Sequence, residues 1–72
     1  MADIIFQYTP RSIYASQGSG PSAQEGYDIW IRNKDGWMDF LGFCGLNELE
    51  GNMKFYQDSG DSVYNRRSPD ND

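Results

Sequence analysis

The chain has 72 residues, a net charge of −5 from 11 acidic and 6 basic side chains, one cysteine and no histidine. That is one small domain close to the lower limit for a core without covalent staples. An internal disulfide and an intrachain Cys₄ or Cys₂His₂ zinc site are excluded, and the charge sign argues against direct nucleic-acid binding or an anionic membrane as partner.

In chain order, Asp3 to Tyr8 reads as a first strand, short, apolar and β-prone. Pro10 ends it, because proline removes a ladder donor and biases Thr9 toward extended geometry. The residues from Met1 lack the basic region and long apolar stretch of a signal peptide. No segment approaches the ~20 apolar residues of a membrane span. With a lone thiol, a cytoplasmic setting (host cytoplasm if the chain is phage-encoded) is the expectation.

Residues 16–26 are small and polar, with glycines and a proline, and are expected to form a mobile loop. Residues 26–44 then carry the strongest pattern in the chain. Tyr27, Ile29 and Ile31 alternate with Asp28, Trp30 and Arg32, as in a half-buried strand. Asn33-Lys34-Asp35-Gly36 supplies turn chemistry, and Trp37 to Phe43 resumes as an aromatic-rich second strand.

The register of this hairpin follows from its apolar pattern. A four-residue loop gathers Tyr27, Ile29, Ile31, Met38 and Phe40 on one wholly apolar face. A three-residue loop slips the partner by one and sets Asp39 among the isoleucines. Since such a slip turns a strand over, the four-residue loop is the expected one. It places Trp30 and Trp37 together on the mixed face, beside Asp28, Asp39 and Leu41.

Asn47 can cap at most one short helical turn that Gly51 ends. Met53 to Gln57 reads as a further strand, Val63-Tyr64 as a closing contact, and residues 65–72 as a polar, flexible tail. The expected architecture is mainly β: a small antiparallel sheet of three to five strands around the hairpin, one domain over residues 1–64.

No residue set points to catalysis. Cys44 has no histidine to activate it. Asp28 and Asp39 are on the hairpin's mixed face, but a chain this short builds no deep cleft to raise a carboxylic pKa. Acidic residues such as Asp58 and Asp61 fit no calcium-loop spacing, so neither metal nor cofactor is expected.

What remains is binding. From Asp35 to Asp61 there are six acids against Lys54 alone. Such a field steers toward a basic patch on a larger protein. The expected anchors are Trp30, Trp37 and Tyr56, with Asp35, Asp39, Glu48 and Glu50 as steering and rim charges. This resembles in style, without homology, the small acidic proteins of bacteriophages and mobile elements. Those occlude larger intracellular proteins, some by imitating the charge of DNA to disable nucleic-acid-handling defence machinery. The alternative is a structural or assembly component, such as a small virion or oligomer subunit. In that case both faces of the hairpin are buried against copies of the chain or a neighbouring subunit; for the tryptophans alone, simple cover by a second layer from residues 1–15 or by a symmetry mate is the competing expectation.

Overall fold

The computed structural model describes residues 2–15 and 24–67. It is mainly β, as the pattern predicts. One four-stranded sheet contains β1 (Asp3–Ser12), β2 (Gln24–Arg32), β3 (Met38–Gly45) and β4 (Ser62–Arg66). The spatial order is β3-β2-β1-β4. A 3₁₀ turn at Ile13–Ala15 follows β1, and a second at Leu46–Glu48 leads into helix α1 (Leu49–Asp58).

The sheet is mixed. β1 and β3 flank β2 antiparallel, whereas β4 runs parallel to β1. A parallel neighbour cannot be reached by a tight turn, so the connection from β3 to β4 crosses the sheet through α1. This departs from a purely antiparallel sheet with at most one helical turn, and Met53 to Gln57 is helix rather than strand.

The physical reason lies in spacing. Leu49, Met53 and Tyr56 recur at helical intervals and pack against the core from above, together with Val63. Gly51 stays inside the helix, at a cost of ~1 kcal/mol relative to alanine. The helix stops instead at Gly60, whose φ of +91° suits glycine. There the Asp61 amide donates to the Tyr56 carbonyl and the Gly60 amide to that of Gln57, a Schellman closure.

The core lies between sheet and helix. Ile4, Phe6, Tyr27, Ile29 and Cys44 are buried there, with Tyr8 and Ile31 beside them. Register explains the set: Ile4 faces Ile31 and Val63, Phe6 faces Ile29, and Tyr27 faces both Tyr8 and Cys44. Pro10 falls where the β1–β2 register shifts, between Thr9 and Ser12, so its missing N–H breaks no regular ladder.

Strand boundaries differ from the sequence reading, beginning with β1, which runs through Pro10 to Ser12 instead of ending at the proline. Gln24–Gly26 belong to β2, while the rest of the expected 16–26 loop lies outside the described residues. Asn65 and Arg66 are paired to Phe6 and Gln7 as part of β4, so the first two residues of the expected tail are strand. Residues 68–72 of the expected tail also lie outside the description.

The hairpin register is a further correction. The Asn33 amide donates to the Trp37 carbonyl at 2.9 Å, closing a three-residue loop, Lys34-Asp35-Gly36, with Gly36 at φ +88°. Asp39 is therefore opposite Ile31. The cost is small because β3 is an edge strand and Asp39 is exposed to water. Leu41 is an extra, unpaired residue between Phe40, opposite Trp30, and Gly42, opposite Ile29. That bulge returns the remainder of β3 to core register.

Cys44 is 2 % exposed within this core. Burial, aided by the negative potential of Glu48 and Asp28, pushes its thiol up to about 11 from an ordinary 9. The folded chain thus holds this proton more tightly than the unfolded chain does. Stability is unaffected below about 9 and falls as pH rises from about 9 to about 11. The expected result is a denaturation midpoint that declines across that window, and a Cys44→Ala variant without that component of the decline.

Candidate functional site

Two surfaces stand out, at different places on the sheet. The first is the hairpin end. Asn33 opens the turn, and its Oδ1 accepts from the Asp35 amide at 3.0 Å and the Trp37 amide at 3.1 Å. The Gly36 amide donates to the Asn33 carbonyl at 3.1 Å. One side chain therefore fixes the backbone on both sides of the loop tip.

Trp37, held by this turn, is 72 % exposed. Strand alternation puts it on the same side as Asp39, and Asp35 precedes it at the tip. Beside them lies a depression of about 350 Å³, lined by Ala2, Asp3, Ile31, Arg32, Asn33 and Lys34. Asp61 adds a carboxylate nearby, its Oδ1 accepting from the Ala2 amide at 3.0 Å. Arg32 is already committed to Asp3, 3.1 Å away.

The second surface is the sheet face opposite α1. A row of large side chains crosses all four strands there: Tyr64, Ile5, Trp30 and Phe40 face one another in register. The 3₁₀ turn brings Tyr14 over this row, stacked on Phe40 with ring centroids 4.2 Å apart and edge-on to Trp30 at 6.4 Å. Trp30 and Phe40 meet edge-to-face at 5.4 Å.

The turn is anchored by Asp28, buried on this same face. The Ser12 hydroxyl donates to its Oδ1 at 2.5 Å and the Thr9 hydroxyl to its Oδ2 at 3.3 Å, while the Tyr14 amide donates to the Ser12 oxygen. Asp28 is thereby a structural acceptor that ties β1 to β2 and seats the turn.

The residues expected to form one binding surface are thus dispersed. Trp37, Asp35 and Asp39 share the hairpin end. Trp30 is on the aromatic face, away from Trp37, because the three-residue loop turns Trp37 over. Tyr56 packs its ring edge-on against Phe6 at 6.0 Å, facing the core. Glu48 and Glu50 are at the start of α1, beyond the other end of β3; eight strand residues place them ~25 Å from the tip. Glu48 is also occupied, accepting from the Gly45 amide at 2.8 Å.

Sequence reasoning missed Tyr14 and Phe40. Their stacking joins segments far apart in the chain, and only the bulge at Leu41 aligns Phe40 with Trp30. Among the described residues, no three His, Cys, Asp or Glu side chains converge on a common point, and no helix is long and apolar enough to cross a membrane. No known family, curated protein or solved structure matches the chain.

The turn itself makes a direct prediction. Asn33→Ala removes the one side-chain oxygen that accepts from two backbone amides, and a loss of ~1–2 kcal/mol is expected by analogy with capping side chains. Chemical denaturation measures it. A loss within error of zero would show that the turn holds without its side chain.

Proposed function

We propose that this chain is a protein-binding module that acts by occlusion, docking its acidic hairpin end on a basic patch of a larger protein and blocking the surface beneath. The observation that carries this reading is Trp37: a large aromatic ring exposed at a stiffened loop, with Asp35 and Asp39 around it. Tryptophan at the centre of a small contact supplies most of its binding energy, and carboxylates at the rim steer a cationic partner into place. Because Asn33 orders the loop beforehand, less conformational entropy is lost on docking. A patch that holds nucleic acid is one basic surface such a tip would fit, in keeping with the anti-defence inhibitors it resembles in size and charge.

The test has two stages. Immobilised chain is exposed to lysate at low and high salt, the retained protein is identified by mass spectrometry, and kinetics are then measured with that protein purified. Trp37→Ala is expected to speed dissociation by a factor equivalent to ~2 kcal/mol or more. Asp39→Lys is expected chiefly to slow association and flatten its salt dependence. Failure to retain any protein at either salt, or equal retention by both variants, overturns the reading.

A further inference from the structure

We infer that the hairpin end selects arginine in particular: the guanidinium of a partner's arginine stacks on the Trp37 ring while the Asp39 carboxylate accepts its N–H groups. The inference rests on the hairpin-end reading and deepens it by naming the side chain that the tip takes.

Placement sets the chemistry. Trp37 and Asp39 are two residues apart on one side of the hairpin, ~6.8 Å along the chain at ordinary strand rise. A flat group laid on an aromatic face takes up ~3.5 Å, so one planar cation fits with its face on the indole and its rim toward the carboxylate. β3 is an edge strand, and no neighbouring strand closes the approach. Among the described residues no other ring packs on Trp37, and neither Asp35 nor Asp39 is in an ion pair. The chain's own guanidinium nearby is committed elsewhere: Arg32 is bonded to Asp3 at 3.1 Å and lies over the Tyr64 ring on the opposite sheet face.

The floor of the site suits a long side chain. Ile31 is opposite Asp39, and Asn33 is bonded to Trp37 across the turn. Both line the depression beside the tryptophan, together with Ala2. The methylene stem of an arginine lies over Ile31 while its head reaches the ring and the carboxylate.

Lysine does not satisfy the same arrangement. An ammonium is compact and strongly hydrated; it sits over the ring or pairs with the carboxylate, and has no plane with which to do both. A guanidinium is flat, weakly hydrated and ringed with donors, so it presents its face to the indole and its edge to Asp39 at once.

Tetra-arginine and tetra-lysine peptides, equal in charge, test this with the intact chain. Each is titrated separately, and the Trp37 indole N–H is followed by heteronuclear NMR. The arginine peptide is expected to bind roughly fivefold more tightly than the lysine peptide, its δ-methylene protons moving upfield under the indole ring current. Asp39→Asn should bring the two affinities together, and Trp37→Leu should abolish both the preference and the upfield shift. Both side chains are exposed, so the fold survives either change. Glu50→Gln, which removes the same charge at the start of α1, should leave the preference intact. Equal affinities in the parent chain, or a preference that Trp37→Leu leaves unchanged, overturn the inference. A protein retained from lysate through Trp37 while the two peptides bind equally sinks the arginine assignment alone. An arginine preference with no protein retained supports that assignment and sinks the occlusion reading alone.

Discussion

Truncating Phe6 to alanine is expected to leave the chain largely unfolded in water. Phe6 is 0 % exposed. It lies on the central strand β1, opposite Ile29, and its ring meets Tyr56 of the helix. It therefore joins the two layers. Removing a buried phenylalanine ring costs ~3–5 kcal/mol through lost transfer energy and the cavity left behind. A domain this small has little more than that in total, at ~5 kcal/mol. Far-UV circular dichroism with a urea titration measures the effect. Phe6→Leu, which keeps most of the volume, should remain folded with a much smaller loss. A cooperative transition for Phe6→Ala near the parental midpoint would show that the core is elsewhere.

Gly26→Ala is the second large effect. A Cβ at this position would lie 2.4 Å from the Phe43 ring and 2.5 Å from the Cys44 carbonyl oxygen. The ring has some freedom to swing away; the carbonyl belongs to the β2–β3 ladder, where Gly26 is opposite Gly45. Relief therefore requires the two strands to part at that end. Overpacking of this kind costs ~1–3 kcal/mol, and more when backbone must move. The expected readout is a matching fall in denaturation free energy, together with faster hydrogen exchange confined at first to the amides of residues 24–27 and 43–45. Gly42→Ala is the control, since nothing lies within 4 Å of a Cβ there. Equal losses at both positions would remove the steric explanation.

Much of the sheet was legible because its signals are local. Tyr27, Ile29 and Ile31 alternate with Asp28, Trp30 and Arg32, and strand alternation tells which of them face the helix-covered core, although Ile5 and Asp28 are buried on the other side as well. The helix was obscured by two competing cues: Met53 to Gln57 is β-prone by composition, and Gly51 looks like a stop. The spacing of Leu49, Met53 and Tyr56 carried the contrary signal, and tertiary packing overrode both propensities.

Register was harder, since maximising one apolar face selects the four-residue loop. The protein instead exposes Asp39 on an edge strand and corrects the phase at Leu41. No local rule announces such a bulge. For the same reason the candidate surface divided: Trp30 and Trp37 are seven positions apart in the chain, yet a one-residue change of loop sends them to opposite sides.

The parallel pairing of β4 with β1 has a consequence for how the protein is made. Asp3 meets Ser62 and Gln7 meets Arg66, so β1 lacks one neighbour until residues 62–66 have left the ribosome. Closing so long a loop comes late and slowly compared with forming the hairpin. During that interval the free edge of β1 presents unpaired amides and carbonyls to other nascent chains. Synthesis rate and chaperone supply, more than final thermodynamic stability, should then govern how much of the translated product escapes inclusion bodies.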